Sequence, residues 1–151
     1  MPVFESSIEV ALSADAAYRL TQDYSRRLEW DPFLREARLL DGKTEVAPGV
    51  KAWCVSHSGL GMETEYVSAQ PGKVAAVKMT RGPWLVARFA GSWLFQALGP
   101  DRTRVVFRYN VQARPRWLRG LLEPFMLRWF RRETAERLAA LKASTERAKV
   151  P

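Results

Sequence analysis

Cysteine and histidine are nearly missing from these 151 residues: Cys54 and His57 are the only examples of each. A lone cysteine closes no disulfide within the chain, and a reducing cytoplasm is the default setting for such a sequence. One thiol and one imidazole also leave no basis for a zinc or iron–sulfur site, and nothing implies a cofactor. No apolar run approaches the ~18 residues that a membrane-spanning helix needs. The start, Met1-Pro2-Val3-Phe4-Glu5, has neither the basic opening nor the apolar stretch of a secretion signal. Acidic residues are the minority. Asp and Glu number 16 against 24 Lys and Arg, a net charge of +8. That balance favours anionic partners such as nucleic acid, acidic lipid headgroups or acidic proteins, and it equally serves plain solubility.

What is present is apolar and aromatic. An apolar share of 47% with six tryptophans excludes a disordered chain, and the length fits one domain, 1–151, with a real core. The last quarter organises the rest. Met126, Leu127, Phe130, Leu138 and Leu141, with Thr134 between them, recur at steps of three and four, while Arg128, Arg131, Arg132, Glu136 and Lys142 fall opposite. This spacing predicts an amphipathic helix. With Pro124 in its first turn, the helix is expected over 123–147, after a separate or kinked turn over 116–122. At ~24 residues it is about 36 Å long.

Upstream, Val3–Leu12 alternates as a first strand. Ser13 N-caps a short helix with Asp15 in its first turn, and a second short helix spans Tyr24–Glu29, ended by Pro32. Strands follow over Glu36–Leu40, Val50–His57, Met62–Ala69, Val74–Thr80, Trp84–Leu98 and Arg102–Gln112. Short linkers rich in Gly, Pro and Asp separate them, as antiparallel neighbours require. The layout is α+β, with the helices on one face of the sheet. Phe89, Gly91, Trp93 and Phe95 alternate with polar neighbours, as do Val105, Phe107, Tyr109 and Val111, so the last two strands have one buried face. In Val50–His57 either Trp53 and Val55 or Val50, Ala52 and Cys54 point inward.

The order Ser13-Ala-Asp-Ala-Ala-Tyr-Arg-Leu, Gln22-Asp23-Tyr24, Leu28-Glu29-Trp30-Asp31-Pro32-Phe33, Pro48-Gly49, Gly91-Ser-Trp-Leu-Phe and Gly99-Pro-Asp-Arg-Thr-Arg-Val-Val resembles the START-like (SRPBCC/Bet v 1-like) superfamily. Within it, the polyketide cyclase/dehydrase and coenzyme-Q-binding branch is the nearest match. The resemblance covers nearly the whole chain. It implies a helix-grip: a curved antiparallel sheet of about seven strands wrapped round the C-terminal helix, with two short helices after strand 1 and a cavity between sheet and helix. It implies nothing firm about activity, since such a scaffold hosts binders and enzymes alike.

Under that resemblance, Phe89, Trp93, Phe95, Phe107 and Tyr109 face Met126 and Phe130 across a gap, and Trp30, Phe33, Tyr66 and Met79 close its ends. The competing expectation is that these side chains simply fill the core. Tyr66 and Tyr109 are the natural polar anchors in an apolar wall. For proton transfer the candidates are His57, Glu65, Tyr66, Arg88 and Tyr109. His57, at a hairpin end, is equally an ordinary solvated histidine, and no catalytic residue is assigned. No triad, metal cluster or phosphate-cradling loop is present.

Six arginines stand against Glu123 between residues 114 and 132. Arg116, Arg119, Arg128, Arg131 and Arg132, interleaved with Trp117, Leu118, Leu121, Leu122, Phe125 and Trp129, suit a helix lying on an anionic membrane. The alternative is that the short helices or the loop around Trp84 cover Trp117 and Phe125. Nucleic acid is the less favoured partner, because no base-reading motif accompanies the charge. Three functions follow. The leading one is binding or transport of a hydrophobic or amphipathic small molecule (lipid, quinone or polyketide-like) in the cavity, with peripheral membrane association. The second is a polyketide cyclase or dehydratase, which Tyr, Arg and Glu converging inside the cavity would favour. The third is a ribosome- or partner-binding protein with a vestigial cavity. Oligomeric state stays open.

Overall fold

The computed structural model describes residues 4–114, 117 and 119–147. Val3, Arg116 and Leu118 lie outside the described residues, and of Arg119 only the backbone is described. The elements run β1 (Phe4–Val10), α1 (Ala14–Gln22), α2 (Arg27–Trp30), β2 (Leu34–Leu39), β3 (Lys51–Ser56), β4 (Gly61–Gln70), β5 (Val74–Arg81), β6 (Val86–Gly99), β7 (Arg102–Ala113) and α3 (Arg119–Arg147). All seven strands form one antiparallel sheet in the order β1-β7-β6-β5-β4-β3-β2. Register shifts interrupt β2, β4 and both ends of β6. Such bulges add twist and bend, and the sheet curls into a half-barrel round α3. This is the α+β helix-grip.

Local chemistry explains most boundaries. Ser13 accepts the Ala16 amide at 3.1 Å and caps α1 as expected. The second short helix is shorter than expected and starts later, because Asp23 Oδ1 takes the Ser25 amide at 3.0 Å and holds residues 23–26 in a turn. Trp84 and Leu85 belong to the β5–β6 loop, so β6 begins at Val86. Gly72, at φ +74°, makes the β4–β5 turn, and a Cβ there would strike the Asp15 carboxylate of α1. The positive φ favours glycine there, and a larger residue would also have to push the Asp15 side chain aside.

α3 departs from expectation at its start. It begins at Arg119, so Pro124 lies inside it, without an amide to offer the Gly120 carbonyl. Glu123 Oε1 accepts the Ala113 amide at 3.3 Å, tying the early helix to the end of β7. That tie supports the turns before the proline, which sequence alone assigned to a separate segment.

Thr134, Leu138, Leu141 and Thr145 form the buried stripe of α3, while Arg128, Arg131, Arg132, Glu136 and Lys142 are exposed. The stripe packs on β1 and β7, burying Val105, Phe107 and Tyr109. Each fully buried leucine contributes about 1.5–3 kcal/mol. Gly91 is buried in the middle of β6 because a Cβ would sit 3.1 Å from Phe107 Cζ. The open choice in β3 is resolved: Cys54 and Ser56 face the interior, and Trp53 lies over Gly61 on the other side.

Candidate functional site

Between the sheet and the first half of α3 lies a pocket of about 240 Å³. The inner line of α3 supplies Met126, Trp129, Phe130, Glu133, Thr134 and Arg137; the strands supply Phe89, Trp93, Phe107, Val77, Met62 and Thr64 among others. Leu60 and Leu85, each 49% exposed, mark its outer rim. Most of the wall is aromatic or aliphatic. Phe89 stacks on Phe130 at 5.6 Å, and Trp93 packs on Phe107 at 4.8 Å.

The residues expected at the cavity divide into two groups. Phe33, Tyr66, Phe89, Trp93, Phe107, Met126 and Phe130 line the pocket; Trp30, Met79, Phe95 and Tyr109 do not. Trp30 lies behind Trp93, edge-on at 6.2 Å. Phe95 packs under α1 against Tyr18, and Met79 lies against Gly82 at the β5–β6 turn. Tyr109 is 1% exposed, wedged between Phe4, Phe107 and Phe130, so on β7 only Phe107 reaches the space. The Tyr109 hydroxyl is buried beside Thr134, and burial pushes its pKa up. His57 is exposed at the β3–β4 hairpin, Glu65 pairs with Lys78 at 3.9 Å, and Arg88 is exposed. None of these three lines the pocket.

A polar cluster at the buried end was not anticipated. Asp31, its side chain 0% exposed, is shared by Arg27 of α2 and Arg137 of α3. Its Oδ2 accepts from Arg27 Nε at 2.9 Å and from Arg137 Nε and Nη2 at 3.1 and 2.9 Å; its Oδ1 takes the Phe33 amide at 3.0 Å. Burial works against the Asp31 charge, but Arg137 and Arg27 outweigh it and hold the carboxyl below the usual range. Burial likewise opposes the Arg27 charge, and Asp31 more than restores it. Both guanidiniums lie over aromatic faces, Arg27 above Trp30 at 5.0 Å and Arg137 above Phe33 at 5.1 Å.

Beside the arginines runs a directional hydrogen-bond chain. Tyr66 donates to Gln22 Oε1 at 2.7 Å, so the 2.8 Å bond between the two hydroxyls must be donated by Tyr24. Gln22 donates onward to Thr21 Oγ1, whose hydroxyl donates to the Ala17 carbonyl. Burial raises the Tyr24 pKa to about 12 and that of Tyr66 well above 10.0, so both phenols stay neutral. Burial also pushes the Cys54 thiol up, away from nucleophilic thiolate. Among the described residues no group of His, Cys, Asp and Glu could hold a metal ion, and no helix is long and apolar enough to cross a membrane.

Two sequence signals pointed to this cluster. Arg27 and Asp31 are four residues apart around a short helix, and Arg137 falls on the inner stripe of α3, next to Thr134 and Leu138. A charge at a core position asks for a partner.

Outside the pocket, Trp117, Leu121 and Phe125 are 81%, 68% and 70% exposed, so neither the short helices nor the Trp84 loop covers them. Trp84 is itself 62% exposed. The Arg114 amide donates to the Leu85 carbonyl at 2.8 Å, and Phe125 adjoins Met126 of the pocket wall. Arg114, Arg128, Arg131 and Arg132 are exposed as well.

A family model described as polyketide cyclase / dehydrase and lipid transport matches residues 1–146. No curated protein matches the chain in sequence. Among solved structures, the Zhui aromatase/cyclase from Streptomyces sp. R1128 is 18% identical and superposes with a TM-score of 0.78 over 97% of this chain and 94% of its own. A START superfamily protein from Mycobacterium smegmatis is 17% identical, with a TM-score of 0.78 over 97% and 99%. Norcoclaurine synthase from Thalictrum flavum is 16% identical, with a TM-score of 0.71 over 99% and 89%. At these identities the likeness is one of fold.

Proposed function

Because the chain belongs to the polyketide cyclase/dehydrase and lipid transport family, we propose that it encloses a hydrophobic or amphipathic small molecule between the sheet and α3. The observation that carries this reading is the aromatic-walled space of about 240 Å³ with polar groups gathered at one buried end. Ligand sites are largely apolar with a few placed polar anchors. The volume falls just below the usual ~300–1,000 Å³. It suits a small ring system or a medium acyl chain, and a long isoprenoid tail would have to trail through the mouth. Apolar burial supplies most of the affinity, at about 25 cal/mol per Å².

In the same proposal, ligand exchange takes place at an anionic membrane. The uncovered Trp117, Leu121 and Phe125 beside exposed Arg128, Arg131 and Arg132 support it. A second reading, a cyclase or dehydratase, draws support from Tyr24, Tyr66, Arg27, Arg137 and Glu133 converging on the pocket. There Glu133 is the only lining carboxylate among the described residues and hence the base, while the guanidiniums steady developing oxyanion charge.

Binding of a neutral fluorophore such as 1-aminoanthracene, displaced by lipids, tests the pocket. Val77→Trp, which fills it, should weaken binding at least tenfold in a folded protein; equal affinity ends the proposal. Flotation with acidic liposomes tests the surface, and indifference to Arg128/Arg131/Arg132→Glu removes the membrane step. Turnover of a linear poly-β-ketone that is lost in Glu133→Gln would establish the enzyme reading.

A further inference from the structure

The two arginines share a single carboxylate. Asp31 neutralises one positive charge, and the other remains at the buried end of the pocket, where Arg27 and Arg137 have side chains 5% and 14% exposed. Their hydrogen bonds are also incomplete. A guanidinium has five N–H groups. Arg27 commits Nε to Asp31 and Nη1 to the Thr21 carbonyl, and Arg137 commits Nε and Nη2 to Asp31. Arg27 Nη2 and Arg137 Nη1 have no protein acceptor among the described residues, and both side chains line the pocket. Buried positive charge with idle donors calls for an anion, and a planar fork matches a carboxylate best. Tyr24 offers a bound carboxylate no donor, because its proton is spent on Tyr66, so recognition falls to the two guanidiniums.

We propose that this end of the pocket is a carboxylate subsite: the ligand is an amphipathic acid whose headgroup bridges Arg27 and Arg137 while its chain or ring lies along Phe89, Trp93 and Phe130. This deepens the small-molecule reading and rests on it. Glu133, one turn before Arg137, also lines the pocket. It is not within ion-pair distance of Arg137, so it repels a bound carboxylate without cancelling the subsite. Asp31 does not compete in the pocket, since its side chain is 0% exposed and does not line the space.

The test compares decanoate with decanol, which share a chain length, by calorimetry at neutral pH, with 2-naphthoate and 2-naphthamide as the ring-bearing pair. Wild-type protein should bind each carboxylate at least tenfold more tightly than its neutral partner. Preference in the first pair alone assigns an acyl chain, and in the second alone a ring. Arg137→Met should erase the preference while decanol still binds. Arg137→Lys, which keeps the charge but loses the fork, should retain only part of it, and Glu133→Gln should enlarge it. Should Arg137→Met not fold, the other two variants decide. Equal binding of acid and neutral partner by wild-type protein overturns the subsite and leaves the pocket reading intact. If none of the four compounds nor the neutral fluorophore binds, both fall together.

Discussion

Asp31→Asn removes the one carboxylate between Arg27 and Arg137 and leaves an amide of the same size. The Phe33 amide can still bond to the oxygen of the substituted side chain, so the loss is chiefly electrostatic. Three guanidinium donors converge on Oδ2 in the wild type, and the side chains concerned are 0%, 5% and 14% exposed. Charged hydrogen bonds are worth ~1.5–3 kcal/mol each, but they share one acceptor and do not add. The better guide is the ~3–5 kcal/mol lost when a buried ion pair is broken from one side. For a chain of this size each kcal/mol moves the melting temperature by about 2–4 °C, so a fall of roughly 6–20 °C is expected. The pH dependence follows with definite sign. The Asp31 carboxyl is held below its ordinary value, so its stabilisation is complete above pH ~3.9 and fades as pH falls toward the folded pKa. Urea melts of wild type and Asp31→Asn should converge at low pH. Combining Asp31→Asn with Arg137→Met should restore at least ~1 kcal/mol relative to additivity, because one stranded charge disappears. A single-variant loss below ~1 kcal/mol, or strict additivity, would refute the idea that this cluster is a coupled buried ion network.

Further outcomes follow from the same geometry. Tyr66→Phe leaves buried Gln22 Oε1 without its donor and should cost about 1–3 kcal/mol in chemical denaturation. Gly91→Ala places a methyl 3.1 Å from Phe107 and 3.4 Å from Phe89, which should cost ~1–3 kcal/mol and weaken fluorophore binding as Phe107 moves into the pocket. In alkaline titration followed by ultraviolet absorbance, all four tyrosines should ionise late, Tyr24 only near pH 12, since burial raises each. Raised values mean that their contribution to stability is full below pH ~10 and declines above it. Trp117→Ser with Phe125→Ser should leave thermal stability within ~0.5 kcal/mol per site, because both are exposed, while abolishing flotation with acidic liposomes.

Much of the fold is legible in the sequence because its signals are local. Alternation through Phe89–Phe95 and Val105–Val111 marks the last two strands, and the three-and-four spacing of Met126 to Leu141 marks the helix, without knowledge of distant partners. The pocket wall is half legible. Phe107 and Tyr109 share a face, yet only position relative to Phe4 and Phe130 makes one a wall and the other a filler. In β3, Cys54 and Ser56 face inward although bulkier Trp53 competes, because Trp53 finds a bed on Gly61. The Arg27–Asp31–Arg137 network escapes notice because Asp31 and Arg137 are 106 residues apart. Its local traces are the four-residue spacing of Arg27 and Asp31 and an arginine on the stripe that should be apolar. The start of α3 is illegible for the same reason, as the Ala113–Glu123 bond is a tertiary contact.

The most direct measurement is native mass spectrometry of the freshly purified protein beside its Val77→Trp variant. A one-to-one adduct with an apolar or amphipathic molecule should accompany wild-type protein and be lost from the filled variant. An adduct retained equally by both, or none in either with lipid supplied in excess, would contradict a ligand held between the sheet and α3.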